Sequence, residues 1–345
     1  MDGEKRERVL VAMSGGVDSS VAALLLRDAG YDATGVTMKL FDNEVAGAGG
    51  ACVVGESTCC SQSDVEDARQ VAFGLGLEHF TFNFTGTFGC EVIDRFCDAY
   101  LRGRTPNPCI DCNRYLKFAA LQRRRAQLGF DYVATGHYAR RAFNERTGRF
   151  ELRRGLDEAK DQSYVLYHLT QDDLAHMLFP LGELTKPQVR ELAEKHSFGN
   201  AHKAESQDIC FVPDGDYASF IARYMRFGED AARGDGREPT VPAAFEPGDI
   251  VDVDGKVLGR HGGLVHYTIG QRKGIGIAAP EPLYVVGKDA AENVLVVGPR
   301  SELGVREVRA GDVNLISVAE LDGPMRVTAK THYRQRAQAG EAVME

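Results

Sequence analysis

The stretch TPNPCIDCN, residues 105–113, places two cysteines three positions apart, a spacing that suits three kinds of chemistry. Cys109 and Cys112 would form half of a metal site, a redox-active disulfide, or a nucleophile with a neighbouring thiol. A third cysteine, Cys210, lies in the apolar run DICFV much later in the chain. Eight cysteines in 345 residues do not make a secreted disulfide scaffold, so we expect a reducing compartment and metal, catalytic or redox chemistry.

The segment SGGVDSS, residues 14–20, has the residue types of a phosphate-binding loop. It lies between a predicted buried strand and a predicted helix. Its two glycines let the backbone approach a phosphate, and the unpaired amides of a helix N-terminus attract an anion. Asp18 would cap the helix or hold Mg²⁺. A tight turn would explain two glycines alone, but the whole segment after a strand favours nucleotide binding.

Strands alternate with helices through the first half of the chain. Apolar runs indicate the strands, and helical spacing of apolar residues indicates the helices. This alternation predicts an α/β fold with a doubly wound parallel sheet covered on both faces. The predicted strands are 8–13, 33–41, 79–84 and 131–136, and the predicted helices are 17–29, 64–75, 88–100 and 114–128.

The pattern changes in the second half. Predicted helices at 171–177 and 186–195 precede a strand-like run at 208–212. Beyond Gly228 the composition shifts towards Gly, Pro, Val and Asp, with short strands that indicate small β-modules. We therefore expect three domains, namely a catalytic domain at 1–227, a small central β-rich domain at 228–281 and a C-terminal β-barrel-like domain at 282–345.

The formal net charge of −9 argues weakly against a nucleic-acid partner. Arginines nevertheless cluster locally, and such clusters are more often solvated faces than binding patches, so an RNA-binding surface stays open. No apolar run approaches the roughly 20 residues that cross a bilayer, so we expect no membrane partner and a cytoplasmic location, or an organelle matrix after processing. The clusters are Arg102/Arg104, Arg123–Arg125, Arg140/Arg141, Arg153/Arg154 and Arg334/Arg336.

The segment SGGVDSS resembles the pyrophosphate loop of the ATP-pyrophosphatase (PP-loop) group, whose members transfer AMP to a carbonyl oxygen and release pyrophosphate. Further motifs occur together and in order, and the set resembles the tRNA-specific 2-thiouridylase family. The resemblance runs from residue 8 to about residue 336. The motifs are GRTPNPCIDCNRYLKF (103–118), ATGHYAR (134–140), KDQSYVLY (160–167), ESQDICFVPDGDY (205–217), GRHGGLVHYTIGQRKGIGI (259–277) and KTHYRQ (330–335).

The resemblance implies an adenine nucleotide alpha-hydrolase-like catalytic domain and a tRNA-uridine 2-sulfurtransferase activity. ATP with Mg²⁺ would adenylate the C2 oxygen of the wobble uridine in tRNA for Lys, Glu and Gln, which makes that oxygen a good leaving group. Cys210 matches the persulfide carrier, and Cys112 matches the second catalytic cysteine, which closes a disulfide as sulfur is transferred. A cysteine desulfurase or a sulfur-relay protein would supply the sulfur. We expect a monomer when tRNA is not bound.

The same resemblance implies two sets of binding residues. The nucleotide would contact the loop, the end of the second strand where an adenine would pack, and the glycine that ends the fourth strand. The tRNA would present an extruded base to the TPNPC loop and contact two further segments. The ATP-binding set is Ala12, Met13, Ser14, Gly15, Gly16, Val17, Asp18, Ser19, Met38 and Gly136; the tRNA-binding set is Asn107, Pro108, Cys109, Lys160, Asp161, Gln162, His332 and Tyr333.

Several alternatives stay open. Cys109 departs from members that carry an aspartate there, so the group that moves protons is not assigned. Cys109, Cys112 and Cys210 would also suit three ligands of a [4Fe–4S] cluster with one iron open to sulfide, which we rank second to persulfide chemistry. Structural zinc ranks lower, because there is no second C-x-x-C in the sequence. An amide-forming PP-loop ligase and a nucleotide-binding RNA-interaction protein without turnover are the remaining rivals.

Smaller expectations follow for individual residues. We place Cys112 just before a helix that starts near Arg114, where the helix dipole favours a thiolate, and expect both catalytic cysteines to be partly exposed. Cys90 and Cys97 share one helix face and would belong to the core, and His137 would be structural. Since the family's C-terminal domain normally continues past KTHYRQ, we expect a shortened domain or an incomplete chain.

Overall fold

The computed structural model of the chain describes residues 6–40, 62–203, 209–212, 214–232, 242–331 and 335–344. Within these ranges the strands form one five-stranded sheet, one four-stranded sheet and two two-stranded sheets. In chain order the strands are β1 (Arg8–Ala12), β2 (Asp32–Lys39), β3 (Glu78–Asn83), β4 (Tyr132–Thr135), β5 (Ala139–Asn144), β6 (Arg149–Arg154), β7 (Met177–Leu178), β8 (Gly248–Val251), β9 (Val257–His261), β10 (Tyr284–Asp289), β11 (Val294–Gly298), β12 (Met325–Ala329) and β13 (Gln338–Ala342).

The helices lie mainly between the strands of the first half. Residues 85–101 and 108–128 are each one continuous helical run that changes from α to π and back. The main helices are α1 (Val17–Asp28), α2 (Gln62–Gly74), α3 (residues 85–101, with Gly89–Ile93 in π form), α4 (residues 108–128, with Cys112–Ala120 in π form), α5 (Gln171–Ala175), α6 (Lys186–Lys195) and α7 (Tyr217–Ala232).

The central sheet has the strand order β3-β2-β1-β4-β7, and every neighbouring pair is parallel. Strand β1 lies in the middle and is covered on both faces. Val9 and Val11 pack in one cluster with Leu24 of α1, whereas Leu10 points the other way and packs with Phe118 of α4. Because successive strand side chains point to opposite faces, this apolar run needs helices on both sides. The predicted doubly wound parallel sheet is confirmed.

Most predicted elements of the first half are present with shifted ends, but the helix at 114–128 starts earlier. It begins at Pro108, after Asn107, whose side-chain Oδ1 accepts a hydrogen bond from the backbone N of Cys109 at 3.2 Å. Proline at the first helical position and an asparagine cap explain this start. Cys112 therefore lies inside the helix, and its predicted place before the N-terminus is wrong.

The predicted strand at 208–212 is also wrong for the residues that the structure describes. Residues 209–212 form a turn, in which the N–H of Val212 donates to the carbonyl of Ile209 at 2.9 Å. The run looked like a strand because it is apolar. Its apolar side chains instead pack against rings of α3 and α7, including an edge-to-face contact between Phe96 and Phe211 with ring centroids 5.2 Å apart.

The later strands form small β-units, as the composition indicated. The four-stranded sheet has the order β10-β11-β8-β9, and β12 pairs with β13 as a separate antiparallel hairpin. Helix α7 runs across the predicted boundary at residue 228, and the four-stranded sheet uses strands from both sides of residue 281. The three-domain division stays a prediction. Within the described ranges, no helix has the length and apolar character needed to span a membrane.

One buried ion pair fastens α2 next to the SGGVDSS loop. Asp64 is only 3% exposed, and the Nζ of Lys203 lies 2.6 Å from a carboxylate oxygen of Asp64 and 2.6 Å from one of Asp67. Burial pulls the pKa of Lys203 down, but the hydrogen bonds and charges of the two aspartates outweigh it and raise that pKa. A side chain at Gly15 would collide with the backbone of Asp64. The pair therefore supports the wall of the loop.

We predict that Lys203→Met lowers the free energy of unfolding by about 3 kcal/mol, because it leaves a buried carboxylate without its neutralising cation. Chemical denaturation at pH 7 measures the loss. The control is Arg69→Gln, which removes an exposed pair with Glu66 at 3.7 Å and should change stability by less than about 0.5 kcal/mol. Equal losses in the two variants would contradict the prediction.

Candidate active site

The predicted nucleotide residues meet at one edge of the central sheet. Ala12 ends β1, Met38 is the penultimate residue of β2, and Gly136 follows directly after β4. These three strands are adjacent and parallel, so their carboxyl ends lie side by side. That edge, where the chain turns from strand to helix, is where open α/β sheets bind ligands. Eight of the ten predicted ATP-binding residues form the continuous segment 12–19, which runs from the end of β1 through the loop into the first turn of α1.

The loop is shaped by glycine geometry and by serine hydrogen bonds. Gly15 has a φ of +73°, a left-handed conformation that glycine adopts without strain. The hydroxyl of Ser19 accepts a hydrogen bond from the backbone N of Ser14 at 3.1 Å and donates to the carbonyl of Gly16 at 2.9 Å. Gly16 has no side chain to cap α1. The first-turn amides of α1 are therefore directed at the loop, where an anion would bind.

Asp18 is held by two side chains that the sequence analysis did not assign. The Nζ of Lys186 lies 2.7 and 2.8 Å from its two carboxylate oxygens, and the hydroxyl of Tyr138 donates to it at 2.8 Å. Lys186 is 7% exposed and is the first residue of α6. A buried cation thus lies at the loop beside a carboxylate. One carboxylate next to phosphate oxygens is an ordinary environment for Mg²⁺.

Asn200 closes the other side of the loop. Its Nδ2 donates to the carbonyl of Gly15 and to the hydroxyl of Ser20, both at 2.9 Å. No signal in the sequence indicated that Asn200 or Lys186 contacts the loop. They reach it only because α6 packs on α1, with Val189 and Val21 in the same buried cluster.

Gly136 allows β4 to approach the loop. A Cβ at this position would lie 2.9 Å from backbone atoms of both Asp18 and Ser19, which is closer than real Cβ contacts allow. The absence of a side chain at Gly136 is therefore a requirement of the loop's position.

We predict that Gly136→Ala weakens ATP binding by about tenfold or more, because the new methyl group must displace the start of α1. Isothermal titration with ATP measures the affinity. Gly74→Ala serves as the control, because a Cβ there meets no atom within 4 Å. Unchanged affinity in Gly136→Ala would show that the loop tolerates the displacement.

The two predicted catalytic cysteines belong to one apolar cluster. Cys112 is 8% exposed within it, and Cys210 packs against the cluster as a half-buried residue. Met38, the predicted adenine contact, is a buried member of the same cluster. The expected partial exposure is confirmed for Cys210 and wrong for Cys112, because α4 turns Cys112 towards the core. The fold thus places cysteines from two distant segments in one apolar cluster, to which Met38 near the carboxyl end of β2 also belongs.

Cys109 does not join the two other thiols in a metal site. It is exposed, whereas Cys112 is buried on the same helix. All three cysteines lie in the part of the chain that the structure describes, and within that part no group of three or more His, Cys, Asp or Glu side chains is arranged to hold a metal ion. The predicted alternative ligand set of Cys109, Cys112 and Cys210 therefore does not fit a [4Fe–4S] cluster in this arrangement.

The other cysteines of α3 differ from each other. Cys97 is buried, and burial together with the charge of Asp94 raises its pKa to about 12. This thiol is therefore protonated near pH 7 and unreactive. Cys90 is exposed, so its predicted core position is wrong. The π segment at Gly89–Ile93 changes the helical periodicity between Cys90 and Cys97. Two residues seven positions apart therefore do not share a helix face here, as they would in a regular α-helix.

The predicted tRNA-binding residues fall into different settings. Asn107 and Cys109 are exposed at the start of α4, and Pro108 is buried. Asp161 is 9% exposed and accepts hydrogen bonds from the backbone N of Gly155 and of Ser163. The remaining positions are Gln162, whose side chain accepts from the backbone N of Tyr138 at 3.0 Å, Lys160, which is half-buried, and His332 and Tyr333, which lie outside the described residues.

The buried His137 and the partly buried His168 both contact Phe118 of α4. Burial lowers the pKa of His137 to about 3 and that of His168 to about 4, so both rings are neutral near pH 7. Nδ1 of His137 shares a hydrogen bond with the hydroxyl of Thr135 at 2.8 Å, and both rings contact Phe118. These contacts agree with the expected structural role of His137.

We predict that His168→Leu reduces the acid sensitivity of the fold. Below pH 6.5 the unfolded chain takes up a proton at His168, whereas the folded chain does so only near pH 4. Wild-type stability therefore falls as the pH drops from 6.5 to 4, by about 2 kcal/mol for this partly exposed ring. Urea denaturation across that range should show a shallower loss in His168→Leu. Replacing the exposed His202 by Gln should leave the wild-type slope, and an unchanged slope in His168→Leu would refute the assignment.

Comparisons with known proteins agree with this geometry. The family described as tRNA methyl transferase HUP domain matches residues 7–214, and the tRNA methyl transferase PRC-barrel domain matches residues 241–299. The chain is 48% identical to the tRNA-specific 2-thiouridylase MnmA of Carboxydothermus hydrogenoformans, over 100% of this chain and 88% of that protein. It is also 48% identical to the tRNA-specific 2-thiouridylase MnmA of Moorella thermoacetica, over 94% of this chain and 85% of that protein.

A solved structure is more distantly similar. The U34-tRNA thiolase NcsA of Methanococcus maripaludis, solved with its [4Fe-4S] cluster, is 18% identical, with a TM-score of 0.36 over 70% of this chain and 78% of that chain. A likeness at this level gives no support to a cluster in the present site.

Proposed function

The chain belongs to the tRNA-specific 2-thiouridylase family, and we propose that it uses ATP to replace the C2 oxygen of a wobble uridine in tRNA with sulfur carried by a cysteine persulfide. The observation that carries the proposal is the shared cluster of Met38, Cys112 and Cys210, which joins the nucleotide edge of the sheet to two thiols. The tRNA species for Lys, Glu and Gln are the proposed substrates. A cytoplasmic monomer that binds tRNA is part of the same proposal.

The first step activates the base. The C2 oxygen of uridine attacks the α-phosphorus of ATP, the bond between the α- and β-phosphates breaks, and pyrophosphate leaves. We assign the phosphate charge to the amides at the start of α1 and to the ammonium of Lys186, which lies beside them in its ion pair with Asp18. Asp18 is the carboxylate that would hold Mg²⁺, which supplies further neutralisation of the phosphates.

The second step transfers sulfur. The outer sulfur of a persulfide on Cys210 attacks C2, and AMP leaves with the former C2 oxygen. The thiolate of Cys112 then attacks the inner sulfur, so the S–S bond breaks, the base keeps the outer sulfur with the electron pair, and a disulfide joins the two cysteines. A thiol reductant restores the cysteines, and a desulfurase or sulfur-relay protein reloads Cys210. The apolar surroundings of Cys112 support the proposal, because they would keep water away from an activated base beside this thiol.

We predict that Cys112→Ala and Cys210→Ser each lower 2-thiouridine formation by at least about a hundredfold, while ATP binding and pyrophosphate release persist. Mass spectrometry of tRNA nucleosides measures the product, and Cys90→Ser, at an exposed cysteine, is the matched control.

Thiolation that survives in either variant would remove the persulfide mechanism. Survival of another ATP-dependent activity in both variants would favour the rival amide-forming ligase, which needs neither thiol. Stoichiometric iron and acid-labile sulfide in anaerobically purified wild-type protein would favour the rival cluster. Absence of pyrophosphate release with ATP and unmodified tRNA would favour an RNA-interaction protein without turnover.

A further inference from the structure

A late segment of the chain, residues 311–316, docks on the catalytic domain beside the helix that carries Cys112; we call it the anchoring segment. The Nδ2 of Asn314 donates to the carbonyls of Tyr167 and Leu169 at 2.8 and 2.9 Å. The guanidinium of Arg149 donates to the carbonyls of Leu315 and Ile316 at 2.9 and 3.0 Å. These four hydrogen bonds join residues 314–316 to two separate stretches of the chain, one at residues 167–169 and the other at Arg149.

The apolar end of the anchoring segment reaches the core. Ile316 packs against the buried cluster that contains Phe118 and Leu121 of α4. Its carbonyl also accepts a hydrogen bond from the side chain of Gln171 at 2.9 Å. The segment is therefore held on the fold by apolar packing as well as by hydrogen bonds.

The polar end of the segment reaches the residues immediately after Cys112. A carboxylate oxygen of Asp312 lies 2.9 Å from Nη1 of Arg114. The hydrogen bond with Asp312 is the main reason why the pKa of Arg114 is raised. The side chain of Asn113, 2% exposed, donates to the carbonyl of Val165 at 3.2 Å, in the same stretch that Asn314 holds.

Asp312 is held in an unusual backbone conformation. Its φ is +52°, in the left-handed region that side chains other than glycine, asparagine and aspartate seldom adopt. The ion pair that it forms is exposed, with 42% of the Arg114 side chain and 77% of the Asp312 side chain accessible. Exposed ion pairs contribute little to stability, so stability alone gives no reason for the strained conformation.

The ion pair of Arg114 with Asp312 lies at the start of a π-helical segment. The helix is α-helical at Pro108–Asp111 and π-helical from Cys112 to Ala120. A π turn holds more residues than an α turn, so the direction of the Cys112 side chain depends on where the π form begins. Residues 113 and 114 are both fastened at that point, one by the 163–169 stretch and the other by Asp312.

We propose that Asp312 is a positioning residue for sulfur transfer: by holding Arg114 it fixes the start of the π-helical segment and with it the direction of the Cys112 thiol. The inference rests on the proposed role of Cys112. It makes a segment from the C-terminal part of the chain a component of the catalytic geometry. Asp312 itself touches no reacting atom.

The test replaces Asp312 by glycine, which accepts the left-handed conformation without strain and removes the side chain with its carboxylate. We expect Asp312→Gly to lower kcat for 2-thiouridine formation by about tenfold or more, with KM for tRNA within about twofold of wild type. Pyrophosphate release should persist. Glu307→Gln is the matched control, because it breaks a pair with Arg309 at 2.7 Å that stays within its own segment.

A second measurement distinguishes a change in the position of the Cys112 thiol from a general loss of packing in the fold. Alkylation by iodoacetamide without tRNA, followed by peptide mass spectrometry, should show faster modification of Cys112 in Asp312→Gly and an unchanged rate at the core thiol of Cys97. Arg114→Gln should behave like Asp312→Gly, and the double variant should lose no more activity than either single variant.

The proposal is overturned if Asp312→Gly keeps its kcat, if only KM rises, as for a tRNA phosphate contact, or if Cys112 and Cys97 gain reactivity together. Multiplying losses in the double variant would also overturn it, because the two residues would then act independently. A wild-type protein that makes no 2-thiouridine would instead refute the proposed function, and the alkylation rates would still test the positioning.

Discussion

Burial of β1 on both faces is the constraint on which the rest of the structure depends. Its valines face one helical layer and Leu10 faces the other, so the strand can only occupy the middle of a covered sheet. The carboxyl end of β1 then lies between those of β2 and β4. The SGGVDSS loop, Met38 and Gly136 are neighbours for this reason, although they are far apart in the sequence.

A second layer of contacts determines the electrostatics of that edge. Lys186, which is almost fully buried, and Asp18 neutralise each other beside the helix N-terminus. Asn200 and the Asp64–Lys203 pair hold the outer wall of the loop through its backbone and through α2. These contacts hold the backbone of the loop in place, which would lower the cost of ordering it when an anion binds.

The positions of Cys112 and Cys210 depend on apolar packing and on the form of the helix, and not on the electrostatics of the loop. Cys112 and Cys210 belong to a cluster rich in aromatic rings, where Phe211 contacts Phe88, Phe96 and Phe220. The π segment that starts at Cys112 sets which way its side chain points. The anchoring segment precedes the hairpin of β12 and β13 in the chain and contacts Arg114, two residues after Cys112.

The sequence by itself determined the parallel sheet, because strand and helix periodicity are local signals. Its contiguous motifs also led to the predicted phosphate loop and the predicted catalytic cysteines. It failed for the start of α4, although Asn107 and Pro108 are a local helix-start signal. It also failed for the run at residues 209–212 and the exposure of Cys90, where tertiary packing and π-helical turns override local pattern. Only the tertiary structure brought Lys186, Asn200 and Asp312 to the site. Their contacts join residues more than a hundred positions apart, and no spacing rule extends over such a distance.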